Sequence, residues 1–246
     1  MQTHKTKGIV LRTVKYGETS IITTVYTELF GLQSYIVKGV RQSSKKTQSK
    51  ANYFQPAAIL QMEVYHNEFK QLQFVKEFQW ANIYNTIFFN VIRNAVAVYV
   101  VELLQHCIKQ PEANPELFYL TEEILLAVDT SNETIVANIP LYFTLQLSSA
   151  LGFLIHGNFS SSNTILDLKE GTFTSNIPTH SNYVTDEEAA TISNLISIKN
   201  IADLKNIQFN KIQRRKILQH LQTFMVLHVE GFAQLRSIDV LQQIIS

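Results

Sequence analysis

The residues best suited to chemistry in this sequence are cations concentrated in one short segment. Residues 38–50 contain no acidic residue, and five positive side chains lie there: Lys38, Arg41, Lys45, Lys46 and Lys50. Cations at this density can neutralise the phosphates of a nucleic-acid strand, which releases counterions and gives salt-sensitive affinity without sequence preference. The alternative is a basic loop that only keeps the surface hydrated.

Other residues near this segment could extend a nucleic-acid surface. Arg12 adds positive charge on a preceding predicted strand, and Lys15 directly follows that strand. Tyr35 and Tyr53 border the basic segment, and an exposed ring could stack on an unpaired base for about 1–3 kcal/mol. We expect most other aromatic residues of the first 80 positions to lie in the core.

A second basic cluster comprises Lys211, Arg214, Arg215 and Lys216. On a helix, residues 211 and 215 share one face and residue 214 lies close to it. The cluster could extend a DNA path or accept an acidic peptide. It could equally be an ordinary exposed helix surface.

Motifs for enzymatic chemistry are absent from the sequence. No glycine-rich phosphate loop is followed by Lys-Ser/Thr, and no GxSxG elbow occurs. His156, Asp167 and His180 could be gathered into a metal site, but their spacing matches no specific pattern. The only cysteine, Cys107, excludes an intramolecular disulfide and a cysteine-rich zinc site. We therefore expect a protein without catalytic residues, metal or cofactor.

Charge is distributed unevenly along the 246 residues. Residues 1–82 hold 11 Lys/Arg and 5 Asp/Glu, a balance of +6, whereas residues 83–246 hold 10 and 15, a balance of −5. This asymmetry favours a nucleic-acid partner for the N-terminal part. The most apolar stretch, residues 86–104, includes four polar side chains that argue against a membrane span: Asn90, Arg93, Asn94 and Glu102. Without a signal-peptide pattern, a cytoplasmic location is expected.

The first 80 residues are predicted to form a small barrel. Five segments rich in β-branched and alternating residues are separated by turns, at residues 5–14, 20–27, 32–38, 54–65 and 69–78. No helix of normal length fits between them. Five short strands at this spacing are typical of a closed barrel.

The rest of the chain is predicted to be mostly helical. Apolar residues recur at helical intervals from Ile83 onward, and further helices are expected at residues 116–128, 133–151, after Thr185, at 210–229 and at 237–244. Thr185 and Glu188 suggest a capping box. Residues 152–184 are expected to be a loop with one hairpin around Glu170 and Gly171. This predicts a barrel domain over residues 1–80 and a helical domain over 81–246.

Short motifs in a fixed order give the sequence a family resemblance. They are GIVL at 8–11, YGETS at 16–20, VKGVR at 37–41, FQP at 54–56, LGF at 151–153 and GFAQLRS at 231–237. Together they resemble the bacterial recombination mediators of the RecO family, over nearly the whole chain. The resemblance implies an α+β multidomain protein, with a five-stranded OB-fold barrel followed by a mostly α-helical domain.

The resemblance also implies a function. Members of this family bind single- and double-stranded DNA, anneal complementary strands and act with RecR to help load RecA onto DNA coated with single-strand-binding protein, whose acidic C-terminal tail they contact. No cofactor and no membrane are implied, and the location would be the nucleoid. Many relatives carry a four-cysteine zinc site after the LGF motif, and this chain cannot form it because the cysteines are missing.

Other functions remain open from the residues alone. An OB-fold barrel could serve RNA instead of DNA. The helical part could be a protein-interaction scaffold with incidental basic charge. An enzyme ranks third, because only His156, Asp167 and His180 support it.

Overall fold

A computed structural model of the chain describes residues 2–42 and 50–244. Lys45 and Lys46 therefore lie outside the described residues. The described residues form two compact units, the first from residues 1–89 and 100–126 and the second from residues 90–99 and 127–246. The predicted domain division between residues 80 and 81 stays a prediction.

Five strands of the first unit form a closed barrel. They are β1 (Thr3–Tyr16), β2 (Ser20–Thr27), β3 (Gly31–Val37), β4 (Ile59–Tyr65) and β5 (Leu72–Trp80). Their order is β1-β2-β3-β5-β4, and β4 pairs back onto β1. Only the β3–β5 pair is parallel among these strand pairs. This is the five-stranded barrel of the OB-fold, so the predicted fold is confirmed.

Alternation along the strands decides which side chains fill the barrel. In β3 the odd-numbered residues Gln33, Tyr35 and Val37 are buried, whereas the even-numbered ones are only half-buried. A bulge in β1 between Val10 and Arg12 shifts the register against β2. Because one residue of shift moves a side chain to the opposite face, Arg12 points outward.

One glycine of the first unit permits a close approach between two segments. Gly31 has a φ of +60°, and a Cβ at this position would lie 2.0 Å from the backbone oxygen of Glu112. Any side chain would collide with that backbone. The start of β3 therefore packs directly against the segment before the second helix.

Six α-helices are found in the described residues after the barrel. They are α1 (Val91–Cys107), α2 (Pro115–Thr130), α3 (Glu133–Ala150), α4 (Asp186–Ser197), α5 (Lys211–His228) and α6 (Ser237–Ile244). The first helix begins at residue 91, later than the periodicity from Ile83 predicts. Pro140 lies within α3, which is nevertheless continuous.

The starts of α4 and α5 are capped differently. Asn210 caps α5, and its side chain and that of Gln213 each accept a backbone N–H of the other residue, a complete capping box. Thr185 occupies the N-cap position of α4 but makes no side-chain capping bond. The predicted Thr185–Glu188 capping box is wrong, because Glu188 instead contacts Lys216 and His220.

A buried amide organises the second unit between α3 and the segment before α5. Asn138 is fully buried, and its Nδ2 donates to the backbone oxygens of Leu204 and Ile207 at 3.2 and 2.9 Å. Its Oδ1 accepts from Nε of Arg214 at 3.3 Å. These bonds fix a short 3-10 turn, Ile201–Asn206, beside α3.

The predicted hairpin lies within a small three-stranded sheet. Strands β6 (Ile165–Asp167), β7 (Thr172–Thr174) and β8 (Tyr183–Thr185) are arranged in the order β7-β6-β8. Asp167 Oδ1 accepts the N–H groups of Lys169 and Glu170, which shapes the turn between β6 and β7. The hairpin is confirmed, and β8 is an additional strand that the sequence does not indicate.

Candidate nucleic-acid interface

The outer face of β1, β2 and β3 carries a layered arrangement of polar and apolar side chains. Arg12 pairs with Thr24, which pairs with Ser34, so these residues form one polar row across the face. The adjacent row is apolar and consists of Val14, Ile22, Ile36 and Phe74. All four apolar side chains are half-buried or exposed. Such a face offers van der Waals surface beside a cation.

Two cations of the 38–50 segment lie next to this face. Lys38 is exposed, and its Nζ is 5.2 Å from the centre of the Phe74 ring. Arg41 lies against the turn between β1 and β2, because its Nη1 donates to the oxygen of Gly17 at 3.0 Å and its N–H to that of Thr19 at 2.9 Å. Arg12, Lys38 and Arg41 therefore border one continuous surface around the outer face.

The remaining predicted cations of the barrel are placed differently. Lys15 is exposed but pairs with Ile21, a core residue, so it leaves β1 on the side opposite to Arg12. Lys50 is exposed at the start of a 3-10 turn, Lys50–Phe54. The N–H of Ala51 donates to the oxygen of Val40 at 3.1 Å, which brings Lys50 back close to Arg41.

The two tyrosines differ in their placement, and Tyr53 at a nucleic-acid surface stays a prediction. The side chain of Tyr35 is fully buried in the barrel core, and burial raises its pKa. The prediction that its ring faces a base is therefore wrong. Tyr53 is half-buried and stacks on Trp80, with ring centres 4.8 Å apart, and meets Phe78 edge-on at 5.3 Å. One face of the Tyr53 ring is thus already covered.

The residues of the second basic cluster differ in burial. Arg214 is only 8% exposed and donates to Asn138 and to the backbone oxygen of Phe209, so it is not part of an exposed basic patch. Lys216 is bound to Glu188 at 2.9 Å. This contact, followed by that of His220, holds the pKa of the Glu188 carboxyl below its ordinary value. Lys211 and Arg215 remain exposed.

A small apolar pocket lies beside α5 in the second unit. Leu141, Leu218 and Leu241 line it, together with Lys211, Arg214 and Arg215. Within the described residues, the buried Nη1 of Arg214 has no hydrogen-bond partner. A buried cation with an unpaired donor is costly, and an anion that entered the pocket could satisfy it.

The residues considered for metal binding do not form a metal site. His180 Nε2 lies 3.3 Å from Asp167 Oδ2, whereas His156 is engaged through its backbone with Gly171 and Phe173. No group of three His, Cys, Asp or Glu side chains suited to a metal ion occurs among residues 2–42 and 50–244. Cys107 is buried, which raises its pKa to about 12. The Asp167–His180 contact instead joins two parts of the 152–184 region.

In the part of the chain that the structure describes, no helix is both long and apolar enough to cross a bilayer.

Sequence comparisons identify the family. The model for "Recombination protein O N terminal" matches residues 1–84, and that for "Recombination protein O C terminal" matches residues 89–237. A DNA repair protein RecO from Flavobacterium psychrophilum is 31% identical, covering 98% of this chain and 99% of the relative. One from Bacteroides fragilis is also 31% identical, over 98% of each chain. With these matches over a barrel of the expected topology, the chain belongs to the RecO family of DNA repair proteins.

Proposed function

We propose that this chain is a recombination mediator that binds single- and double-stranded DNA without sequence preference. The supporting observation is the placement of Arg12, Lys38 and Arg41 around the outer face of β1–β3. Lys50 lies close to Arg41, and Lys45 and Lys46 belong to the same segment of sequence. Cations on a face of this kind hold phosphates, while base edges need not be read.

Strand annealing follows from the same charge arrangement. Two complementary strands repel each other through their phosphates, and cations between or beside them lower this repulsion. Because these cations would hold phosphates and would not read base edges, base pairing alone would select the partner strand. The process requires no covalent step and no nucleotide cofactor. With RecR, the protein would help load RecA onto DNA coated with single-strand-binding protein, on the nucleoid.

A second part of the proposal concerns the acidic C-terminal tail of single-strand-binding protein. The pocket beside α5 combines an apolar lining with exposed Lys211 and Arg215 and the unpaired Nη1 of Arg214. A carboxylate can accept from several such donors. An acidic peptide that ends in an apolar residue and a free carboxylate fits this chemistry.

The peptide proposal can be tested without disturbing the core. Arg215→Ala removes an exposed cation and should weaken binding of such a peptide, measured by fluorescence anisotropy, whereas Lys205→Ala at an exposed site away from the pocket should not. Amidation of the peptide's terminal carboxylate should have an effect similar to that of Arg215→Ala. Equal affinity of both peptides for the unaltered protein would contradict the proposal.

The DNA proposal is tested by charge reversal in the basic segment. The double substitution Lys45→Glu with Lys46→Glu should weaken binding to DNA of any sequence and reduce the salt dependence of that binding. Unchanged affinity would remove these two residues from the mechanism.

Two other functions make different predictions. An RNA-binding barrel would prefer RNA when matched DNA and RNA strands compete for the protein. A protein-interaction scaffold would retain its partners in a pull-down at moderate salt after nuclease treatment. Loss of the partners with nuclease would support binding through DNA.

A further inference from the structure

The pocket beside α5 is partly closed by the last helix of the second unit, α6. Leu141 of α3, Leu218 of α5 and Leu241 of α6 line it, and all three side chains are buried. Its free volume is about 20 Å³, which is enough for about one water molecule. Sites that hold a small ligand measure about 300–1,000 Å³. The chemistry of the pocket suits an acidic peptide, but with α6 in this position the pocket has no room for one.

Helix α6 presents to the pocket the same two kinds of group that such a peptide would bring. Leu241 places an apolar side chain among residues of α3 and α5 and is 1% exposed. The backbone oxygen of Gln243 accepts a hydrogen bond from Nζ of Lys211 at 3.2 Å. The chain itself therefore supplies an apolar anchor and an acceptor for a cation, where a peptide would supply an apolar residue and a carboxylate.

The helix does not satisfy every donor of the pocket. Nη1 of Arg214 is buried and has no hydrogen-bond partner among the described residues, whereas Nε and Nη2 donate to the oxygens of Asn138 and Phe209. The acceptor that α6 offers to Lys211 is a neutral carbonyl, and hydrogen bonds to a carboxylate are about twice as strong. A carboxylate in the pocket would therefore make contacts that α6 leaves unmade.

Helix α6 is short and depends on its packing. It spans eight residues, and Ser237 and Leu241 are its buried residues. Asp239, Val240 and Gln243 are exposed. A helix needs about 12–15 residues before it is even marginally stable by itself in water. Once Leu241 leaves the pocket, little remains to keep α6 folded.

We propose that α6 is an autoinhibitory flap, which occupies the peptide pocket in place of the ligand and must be displaced before an acidic peptide can bind. This inference rests on the proposed peptide binding and adds its regulation. A ligand shifts such an equilibrium only if it binds the open state better than the closed one. The contacts of a carboxylate with Arg214 and Lys211 supply that difference. The apparent affinity is lowered in proportion to the fraction of molecules that are open.

The test destabilises α6 without changing any described lining residue. Val240 is 49% exposed and is not among the residues that line the pocket. Val240→Pro removes a backbone donor within the helix and disfavours the helical conformation of Asp239, whereas Val240→Ala keeps the helix. The full-length proteins are titrated, by fluorescence anisotropy, against a labelled Asp/Glu-rich peptide that ends in phenylalanine with a free carboxylate. Thermal unfolding checks the rest of the fold.

The proposal predicts that loss of the helix strengthens peptide binding. A proline within a helix disfavours the helix by a factor of up to about 150, so Val240→Pro should bind the peptide about 10- to 150-fold more tightly. Val240→Ala should bind like the unaltered protein. In the unaltered protein, the peptide should speed amide hydrogen exchange at residues 238–244, because the flap is open in the bound molecules.

Three results would overturn the proposal. Weaker peptide binding by Val240→Pro would make α6 a wall that the ligand needs. Equal affinities of the proline and alanine variants would show that α6 does not compete with the peptide. Slower hydrogen exchange at residues 238–244 with bound peptide would show that α6 closes over the ligand. Each of these leaves the proposed peptide binding intact, whereas failure of the unaltered protein and of both variants to bind the peptide would refute that binding and the flap together.

Discussion

Replacement of Arg12 and Lys38 by glutamine should reduce the salt dependence of DNA binding by a defined amount. Both side chains are exposed at the outer face of β1–β3, and neither supports the barrel core. Glutamine keeps much of the side-chain length and removes the positive charge. A matched control is the double substitution of Lys199 and Lys205, two exposed lysines of the second unit, by glutamine.

The expected magnitude follows from counterion release and does not require the total number of contacts. Each lost phosphate contact reduces the slope of log Kobs against log[salt] by about 0.7 for single strands and about 0.9 for duplex DNA. Two lost contacts therefore reduce it by about 1.4 and about 1.8. Between about 50 and 200 mM salt, the loss of single-strand affinity should be about sevenfold smaller in the variant than in the unaltered protein.

Fluorescence anisotropy of a labelled oligonucleotide, titrated at several salt concentrations, measures this slope directly. Two unrelated sequences should give the same change, because phosphate contacts carry no sequence information. The reasoning would be refuted by a slope that stays unchanged in the Arg12/Lys38 variant. It would also be refuted by an equal reduction in the Lys199/Lys205 variant, since the effect would then reflect overall charge.

Three further predictions concern stability. The pKa of His66 is lower in the folded protein than in the unfolded chain, so the unfolded chain binds a proton at a higher pH. The free energy of unfolding is therefore highest above about pH 6.5 and declines as pH falls towards the folded-state pKa of His66. His66→Phe should remove this decline, measured by urea unfolding with Trp80 fluorescence. Asn138→Ala should lower the unfolding free energy by about 2–4 kcal/mol, because buried backbone oxygens lose their donor, measured by circular dichroism in urea. Gly31→Ala should cost about 2 kcal/mol or more, seen as a lower Tm, because a positive φ and a backbone collision both oppose the side chain.

Controls for these stability predictions are available within the same chain. Gly17 has a similar φ of +57°, but no atom lies within 4 Å of the position that a Cβ would occupy, so Gly17→Ala should show only the conformational cost. Equal Tm values for the two glycine variants would contradict the close approach at Gly31. Asn194 is exposed on α4, and Asn194→Ala should leave stability nearly unchanged. A pH profile that is the same with and without His66 would exclude its titration as the cause.

The barrel and its hairpins were predictable because strands alternate with a period of two residues. The same alternation also indicates which face of β3 carries Tyr35. Tyr35 and Val37 share a face opposite Leu32 and Ile36, and the structure turns the Tyr35 face inward. Proximity in sequence to the basic segment suggested a surface role, but the pleat decides the direction of the ring.

Arg214 is a similar case on a helix. It lies three, four and seven residues before Ile217, Leu218 and Leu221, all of which are buried, so the helical period places it on the inner face of α5. Charge alone assigned it to the surface. The role of Asn138 as its acceptor could not be predicted, because 76 residues separate the two and only the tertiary fold brings them together.

The sequence indicates the solvent exposure of the Phe69 side chain only weakly. It follows the turn at His66 and Asn67, and the alternating pattern predicts it as the first residue of a strand over 69–78, whereas β5 begins at Leu72. Its exposure depends on the hydrogen bonds of Gln73 to the turn, which is a property of the closed barrel. Local patterns do not contain this information, since β5 must first pair with β3.

The length of β1 has a consequence for how the chain folds. Its 14 residues pair with β2 through Gly8–Tyr16 and with β4 through Thr3–Ile9. During synthesis the meander of the first three strands can assemble locally, but the early half of β1 keeps an unsatisfied edge until residue 65 has emerged. Ring closure through β3 and β5 comes later still. We therefore expect that protease will cleave β1 in nascent chains that are halted before residue 65 has emerged. In the complete barrel, the same strand is paired on both edges.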